Sequence, residues 1–259
     1  MPRVQIVLPA RLASTRLPEK LLRRVGGKSI LQHTYEAASR AKCARGGVLI
    51  AVDDPRLAAE VDSFGGRWLM TPKDCPSGTD RLAAVAKETD AEVFVNVQGD
   101  EPEIDPLAID AVADAIQNDE SADIATAATP IRHAAALADR SVVKIVMASA
   151  PGGAGEGRAV YFSRASVPHD RDGVTVENLV AEPPVYWHHV GLYAYRRDFL
   201  EWFCRQPPGK LESMERLEQL RAIEAGKKII VTRIAEAKPG IDTEADLEAF
   251  RLRVENGPR

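Results

Sequence analysis

The stretch Val93-Phe94-Val95-Asn96-Val97-Gln98-Gly99-Asp100-Glu101-Pro102 constrains this chain more than any other. Its first half is β-branched and aromatic, the composition of a strand. Glycine and proline then stop the strand, which leaves the Asp100 carboxylate at its C-terminal tip. Ligands of open α/β sheets bind at that edge. A carboxylate there, beside backbone opened by Gly99, suits a hard divalent cation that also holds phosphate oxygens. Gly and Asp are also common turn residues, so a plain turn remains an equal reading of this stretch alone.

The rest of the chain alternates strand and helix patterns. Strands are expected at Val4–Leu8, Gly47–Val52, Arg67–Met70, Asp123–Thr129, Ser141–Ala148, Gly157–Ser163, Tyr186–Tyr195 and Lys228–Ile234. Helices are expected at Ser29–Arg40, with Ile30, Leu31, Tyr35 and Ala38 towards the core, and at Leu211–Gly226. Others follow Pro55, start near Asp80, open at Pro106 and follow Thr243. Asp53-Asp54 before Pro55 reads as a helix-capping pair rather than a metal site. Pro151–Glu156 reads as a hairpin tip, and Gly173–Pro184 as a loop or arm.

Three places carry polar chemistry. The loop Pro9–Lys20 follows the first strand and holds Arg11, Arg16 and Lys20. It is no GxxxxGK[ST] loop, yet forked Arg donors and a compact Lys charge suit a triphosphate; a solvated surface loop is the plain alternative. Ser77-Gly78-Thr79-Asp80 precedes a helix, whose unpaired N–H groups can take a polar or anionic ligand or simply be capped. Asp242 stands before Thr243, and Thr243 with Asp246 resembles a capping box, so Asp242 is free for another role or is itself an alternative cap. Glu218 and Gln219 interrupt a helical apolar pattern and face either solvent or a cavity. His188 and His189 are adjacent on a strand and so cannot easily share one metal. Cys75 lacks a nearby His and any acyl-transfer pattern, which argues against a nucleophile.

Composition excludes several classes. A net charge of −4 over 259 residues provides no general electrostatic reason to bind nucleic acid. No apolar run approaches the ~20 residues of a membrane span. Met1–Leu8 enters a strand pattern directly, unlike a signal peptide. Cys43, Cys75 and Cys204 are widely spaced and odd in number, which reads as free thiols in a reducing cytoplasm.

Taken together, LPARLASTRLPEKLL (8–22), SGTDRL (77–82), VNVQGDEPEI (95–104), HHVGLYAYRRDFL (188–200) and LEQLRAIEAG (217–226) resemble the 3-deoxy-manno-octulosonate cytidylyltransferases. YFSRA (161–165) and GIDTEADL (240–247) fit as well, so the resemblance spans the chain. It departs from the family at His169, where an aromatic is usual, at the Gly-rich tip and at Cys75-Pro76. The resemblance implies an α/β fold: a single-domain nucleotidyltransferase over 1–259, with a Rossmann-like mixed sheet flanked by helices. The segment about 130–200 would contribute a smaller β lobe for dimerisation. It implies transfer of CMP from CTP to 3-deoxy-D-manno-octulosonate (KDO) for lipopolysaccharide biosynthesis, in a cytoplasmic homodimer. A related 2-keto acid sugar, or a non-catalytic nucleotide-binding regulator, is the alternative. Lys20, Arg16, Asp100 and Asp242 are the implied catalytic residues, with Asp100 and Asp242 as Mg²⁺ ligands. Ala10, Arg11, Arg16, Lys20, Ser77, Gly78 and Gln98 would hold CTP. Arg81, Arg164, His189, Tyr193, Glu218 and Gln219 would hold the sugar.

Overall fold

A computed structural model describes residues 3–149 and 157–256; the expected hairpin tip at 151–156 lies outside them. The chain divides into two compact units, one reaching Asp110 and resuming at Ala237, the other spanning Ala111–Glu236.

The first unit is built on parallel strands. β1 (Val4–Ala10) is followed by a short hairpin of β2 (Arg24–Val25) and β3 (Lys28–Ser29), then β4 (Val48–Val52), β5 (Arg67–Met70) and β6 (Val93–Asn96). The order β5-β4-β1-β6 puts β1 in the centre. Ile6, Val7, Leu8 and Ala10 have no exposed surface, as a strand covered on both faces requires. Parallel pairing needs crossovers. These contain α1 (Ile30–Ala38), α2 (Pro55–Ser63) and α3 (Gly78–Lys87). Each helix starts at a short polar cap: Ser29 accepts from Gln32 N, Asp54 from Arg56 N and Ser77 from Asp80 N. In α1 Ile30, Leu31 and Ala38 are buried as expected, but Thr34 takes the core position expected of Tyr35, which is only half-buried. Thr34 is tolerated there because its hydroxyl reaches the carbonyls of Ile30 (3.1 Å) and Gly99 (2.9 Å). The parallel register, with Ala10 opposite Val52, brings the loops after β1 and β4 to one edge. α4 (Pro106–Asn118) opens where Asp105 caps Leu107 N. The C-terminal helix Glu244–Asn256 starts with the expected box, Thr243 and Asp246 bonding each other's backbone N–H groups.

The second unit contains β7 (Ile124–Pro130), β8 (Lys144–Ser149), β9 (Gly157–Ser163), β10 (Trp187–Arg196) and β11 (Ile229–Arg233), in the order β10-β7-β11-β9-β8. β7 and β11 are parallel and the remaining pairs antiparallel, so this sheet is mixed. β10 bulges between Val190 and Tyr193, and Thr126 Oγ1 bridges the irregularity to Leu192 O at 2.9 Å. The helices are α5 (Ala134–Ala138), α6 (Val176–Val180), α7 (Arg197–Phe203), α8 (Lys210–Glu215) and α9 (Gln219–Glu224).

Two expectations are corrected here. The stretch Gly173–Pro184 is not all loop, because Thr175 and Asn178 cap each other and start α6. Leu211–Gly226 is not one helix. Arg216 takes the left-handed conformation (φ 55°), which ends α8 and turns the chain before α9 begins.

Candidate active site

The loop after β1 lines a cavity of about 380 Å³, together with the residues after β6. Pro9, Arg11, Ala13, Ser14, Thr15, Arg16, Lys20 and Leu21 form one side, and Gly78, Gln98, Gly99, Asp100 and Asp242 the other. Of the expected nucleotide residues, Arg11, Arg16, Lys20, Gly78 and Gln98 are therefore brought together. Ala10 is buried at the strand end. Ser77 is used as the cap of α3. Ala13, Ser14 and Thr15 lie on the same loop as the cations but were not singled out, since uncharged loop residues carry no distinguishing signal.

Gly99 is required by close approach. A Cβ built there would meet the Pro9 carbonyl oxygen at 2.9 Å and the Leu21 side chain at 3.5 Å. The missing side chain thus lets the turn after β6 lie against the end of β1.

Lys20 is the hub. Its ammonium donates to Asp100 Oδ2, to Asp242 Oδ1 at 2.9 Å and to the Ile241 carbonyl at 3.0 Å. Arg16 Nη2 pairs with the other Asp242 oxygen at 2.8 Å. Burial pulls the Lys20 ammonium down, but the charges and hydrogen bonds of Asp100 and Asp242 outweigh it and hold its pKa above the ordinary lysine value. Both carboxylate oxygens accept from one nitrogen, so they lie within roughly 6 Å of each other, about twice a hydrogen-bond length. Next in the chain, Glu101 is pushed up to about 8 by burial and by the Asp100 charge, so at neutral pH it carries its proton.

The acidic pair expected to cap α2 divides its work. Asp54 caps; Asp53 is buried and accepts from the backbone N–H of Leu12 at 2.9 Å. Arg81 has no exposed surface. Its guanidinium donates to Thr71 Oγ1 and to Asp53 Oδ2 at 3.4 Å. Expected to hold the sugar, Arg81 is closed to a sugar hydroxyl in this structure.

The other expected sugar residues belong to the second unit. His189 is buried, with Thr126 Oγ1 at 3.0 Å from Nε2 and the Phe162 and Tyr193 rings at 4.9 and 5.3 Å. Burial, helped by the neighbouring His188, pushes it down to about 3, so it is neutral. Burial and the Tyr195 and Glu218 charges push the Tyr193 phenol well up, which keeps its proton available for donation. Glu218 stands just before α9 and is exposed, while Gln219 is buried. Arg164 donates from Nε to Glu215 O at 2.9 Å and from Nη1 to Arg140 O at 3.1 Å, so two of its donors already hold backbone carbonyls.

A cytidylyltransferase family model matches residues 5–229. The 3-deoxy-manno-octulosonate cytidylyltransferase of Rhodopirellula baltica is 58% identical over 252 residues, 97% of this chain and 98% of that protein. Its namesake in Geobacter sulfurreducens is 43% identical over 248 residues, covering 95% and 96%. Among solved structures, a CMP:2-keto-3-deoxy-manno-octonic acid synthetase complexed with CTP has a TM-score of 0.88 at 38% identity, covering 99% of this chain and all of that one. A cytidylyltransferase from Leptospira borgpetersenii, at 15% identity and a TM-score of 0.65, shares the fold.

Proposed function

The chain belongs to the 3-deoxy-manno-octulosonate cytidylyltransferase family, a group of CTP-dependent nucleotidyltransferases, and on that premise we propose how its own residues carry CMP from CTP to KDO. The observation that carries the proposal is the Lys20 ammonium between the Asp100 and Asp242 carboxylates, at the rim of a cavity that Arg11 and Arg16 also line. The anomeric 2-hydroxyl oxygen of KDO bonds to the α-phosphorus. The bond from that phosphorus to the bridging oxygen breaks, pyrophosphate leaves with the electron pair, and the hydroxyl proton passes to solvent.

Little covalent chemistry falls to the protein, so positioning and charge neutralisation do most of the work. Arg11, Arg16 and Lys20 hold the triphosphate, and Gly78 and Gln98 line the rest of the nucleotide cavity. Arg164 takes the sugar carboxylate; His189, Tyr193, Glu218 and Gln219 serve its hydroxyls.

Asp100 and Asp242 fit a magnesium ion. The donors are all oxygen, and the two carboxylates are close enough to share one cation. Among the described residues no cluster of three or more His, Cys, Asp or Glu groups forms a metal site. Water and phosphate oxygens would fill the remaining positions, as magnesium ordinarily requires. When bound, the ion would neutralise triphosphate charge and lower the hydroxyl pKa.

Family membership further supports a cytoplasmic role in lipopolysaccharide biosynthesis. Val174, Val176, Val180 and Val185 are exposed in the second unit, and apolar surface of this kind favours a homodimer; light scattering measures it. The decisive assay is pyrophosphate release by the purified protein with CTP, Mg²⁺ and KDO. Release that exceeds background only with KDO, in competition against other 2-keto acid sugars, supports the reading. CTP binding without turnover would make the protein a regulator instead.

A further inference from the structure

Within the first unit, the loop after β1 lines two cavities. Arg11, Ala13 and Ser14 line the 380 Å³ cavity already described. Leu12 and Asp53 line a second cavity of about 370 Å³, which shares Ala13 and Ser14 with the first. Such a loop is full of backbone donors and needs a fixed reference to hold its cations in register. The structure supplies one bond, Leu12 N–H to Asp53 Oδ1 at 2.9 Å.

The groups behind that bond are buried. Asp53 directly follows the buried strand β4. Arg81, on α3 and wholly buried, donates to the other Asp53 oxygen. Thr71, at the end of β5, accepts from Arg81 and in turn donates to Val52 O at 2.9 Å. Two strand ends and a helix are thus tied into one polar knot, whose single carboxylate faces the loop. Arg81 Nε, by contrast, has no partner. A buried charge with an unsatisfied donor is costly, and apolar residues would build the same core without that cost. A buried carboxylate that needs a buried guanidinium to balance it is accounted for if the carboxylate has work at the loop.

We propose that Asp53 is a positioning residue for nucleotide binding, which sets the Arg11–Arg16 segment against the triphosphate through the Leu12 N–H, with Arg81 as its counter-charge. The inference rests on the reading of the first cavity as the CTP site. It predicts a defect specific to the nucleotide.

The test measures KM for CTP, KM for KDO, kcat and melting temperature for Asp53→Ala, Asp53→Asn and Leu12→Pro. Asp53→Ala removes the acceptor. Asp53→Asn keeps an oxygen for Leu12 and loses the charge. Leu12→Pro removes the donor and leaves the Asp53–Arg81–Thr71 knot whole; because proline also fixes the backbone at 12 and restricts Arg11, its KM for CTP is read together with the Asp53→Ala and Asp53→Asn pair, and a normal value still refutes the anchor. The expected result is a rise of at least about tenfold in KM for CTP in Asp53→Ala and Leu12→Pro, with KM for KDO within about twofold. Asp53→Asn should recover KM for CTP to within about threefold of wild type. An active wild type beside a Leu12→Pro variant with normal KM for CTP overturns the proposal alone. So does an Asp53→Ala variant whose two KM values rise in parallel. A wild type that neither binds CTP nor releases pyrophosphate overturns the functional reading and this proposal together.

Discussion

Replacing Lys20 with Met keeps the stem of the side chain and removes its charge. The ammonium is mostly buried, its side chain 15% exposed, so its field is only partly screened. Two unit charges about 4 Å apart interact by about 4 kcal/mol at an effective dielectric near 20. Mutational removal of one transition-state donor typically costs 10²–10³ in rate, about 2.7–4 kcal/mol, a consistent range. Lys20→Met should therefore lower kcat for pyrophosphate release by 10²–10³. A second readout needs no turnover. Lys20, Arg16, Asp100 and Asp242 form one cluster whose charges sum to zero, two cations against two carboxylates. Without CTP, the ammonium holds both carboxylates that a divalent cation would use. Removing it leaves a net charge of −1, and Mn²⁺ binding to the nucleotide-free protein, followed by electron paramagnetic resonance or calorimetry, should tighten by at least about tenfold, or 1.4 kcal/mol. A kcat within about threefold of wild type, with unchanged Mn²⁺ affinity, would refute the reasoning and return Lys20 to an ordinary surface-loop lysine.

Two further outcomes follow. Gly99→Ala should destabilise the protein by roughly 1–3 kcal/mol in urea unfolding, because its Cβ meets a backbone oxygen at 2.9 Å that cannot rotate away; an unchanged midpoint would show that β1 yields there. His189, held down at about 3 in the fold against ~6.5 unfolded, binds more protons when unfolded between those values. Its contribution is present above about pH 6.5 and is lost as pH falls towards 3. Between pH 5 and pH 7 the wild type should gain about 2 kcal/mol more stability than His189→Gln, and parallel stability curves would sink the assignment.

The parallel half of the fold was legible because its signals are local. Proline at the start of α2, serine caps on α1 and α3, and the Thr243–Asp246 box each announce a helix from a few residues. The breaks that were missed depend on other parts of the chain. Leu211–Gly226 has the apolar spacing of one helix, and Arg216 is no helix breaker. What supports the turn is Glu215, whose carboxylate takes Ser163 Oγ at 2.6 Å and Arg164 N at 3.0 Å. That partner lies some fifty residues earlier, and no window of spacing contains it. α6 was missed for a different reason: five residues are too few to show a helical period, and its cap uses Asn178 where the usual box has Glu or Gln.

The site divides in the same way. Asp100 was legible as a strand-end carboxylate, and the Thr243–Asp246 box leaves the Asp242 carboxylate to pair with Lys20 and Arg16. Asp53 was not legible, because Asp-Asp-Pro is a cap signature and one of its two carboxylates would satisfy it. Only the parallel pairing of β1 with β4 brings Leu12 beside Asp53 and gives that residue a donor to hold. The cap and the loop anchor are the same residue type one position apart, and successive positions leaving a strand point in different directions. A dipeptide at the end of a central parallel strand can therefore serve two elements at once, the helix that follows it and the loop of the neighbouring strand. In this chain Asp54 serves α2 and Asp53 serves the loop that carries Arg11 and Arg16, so helix start and cation loop are positioned from one point on the sheet edge.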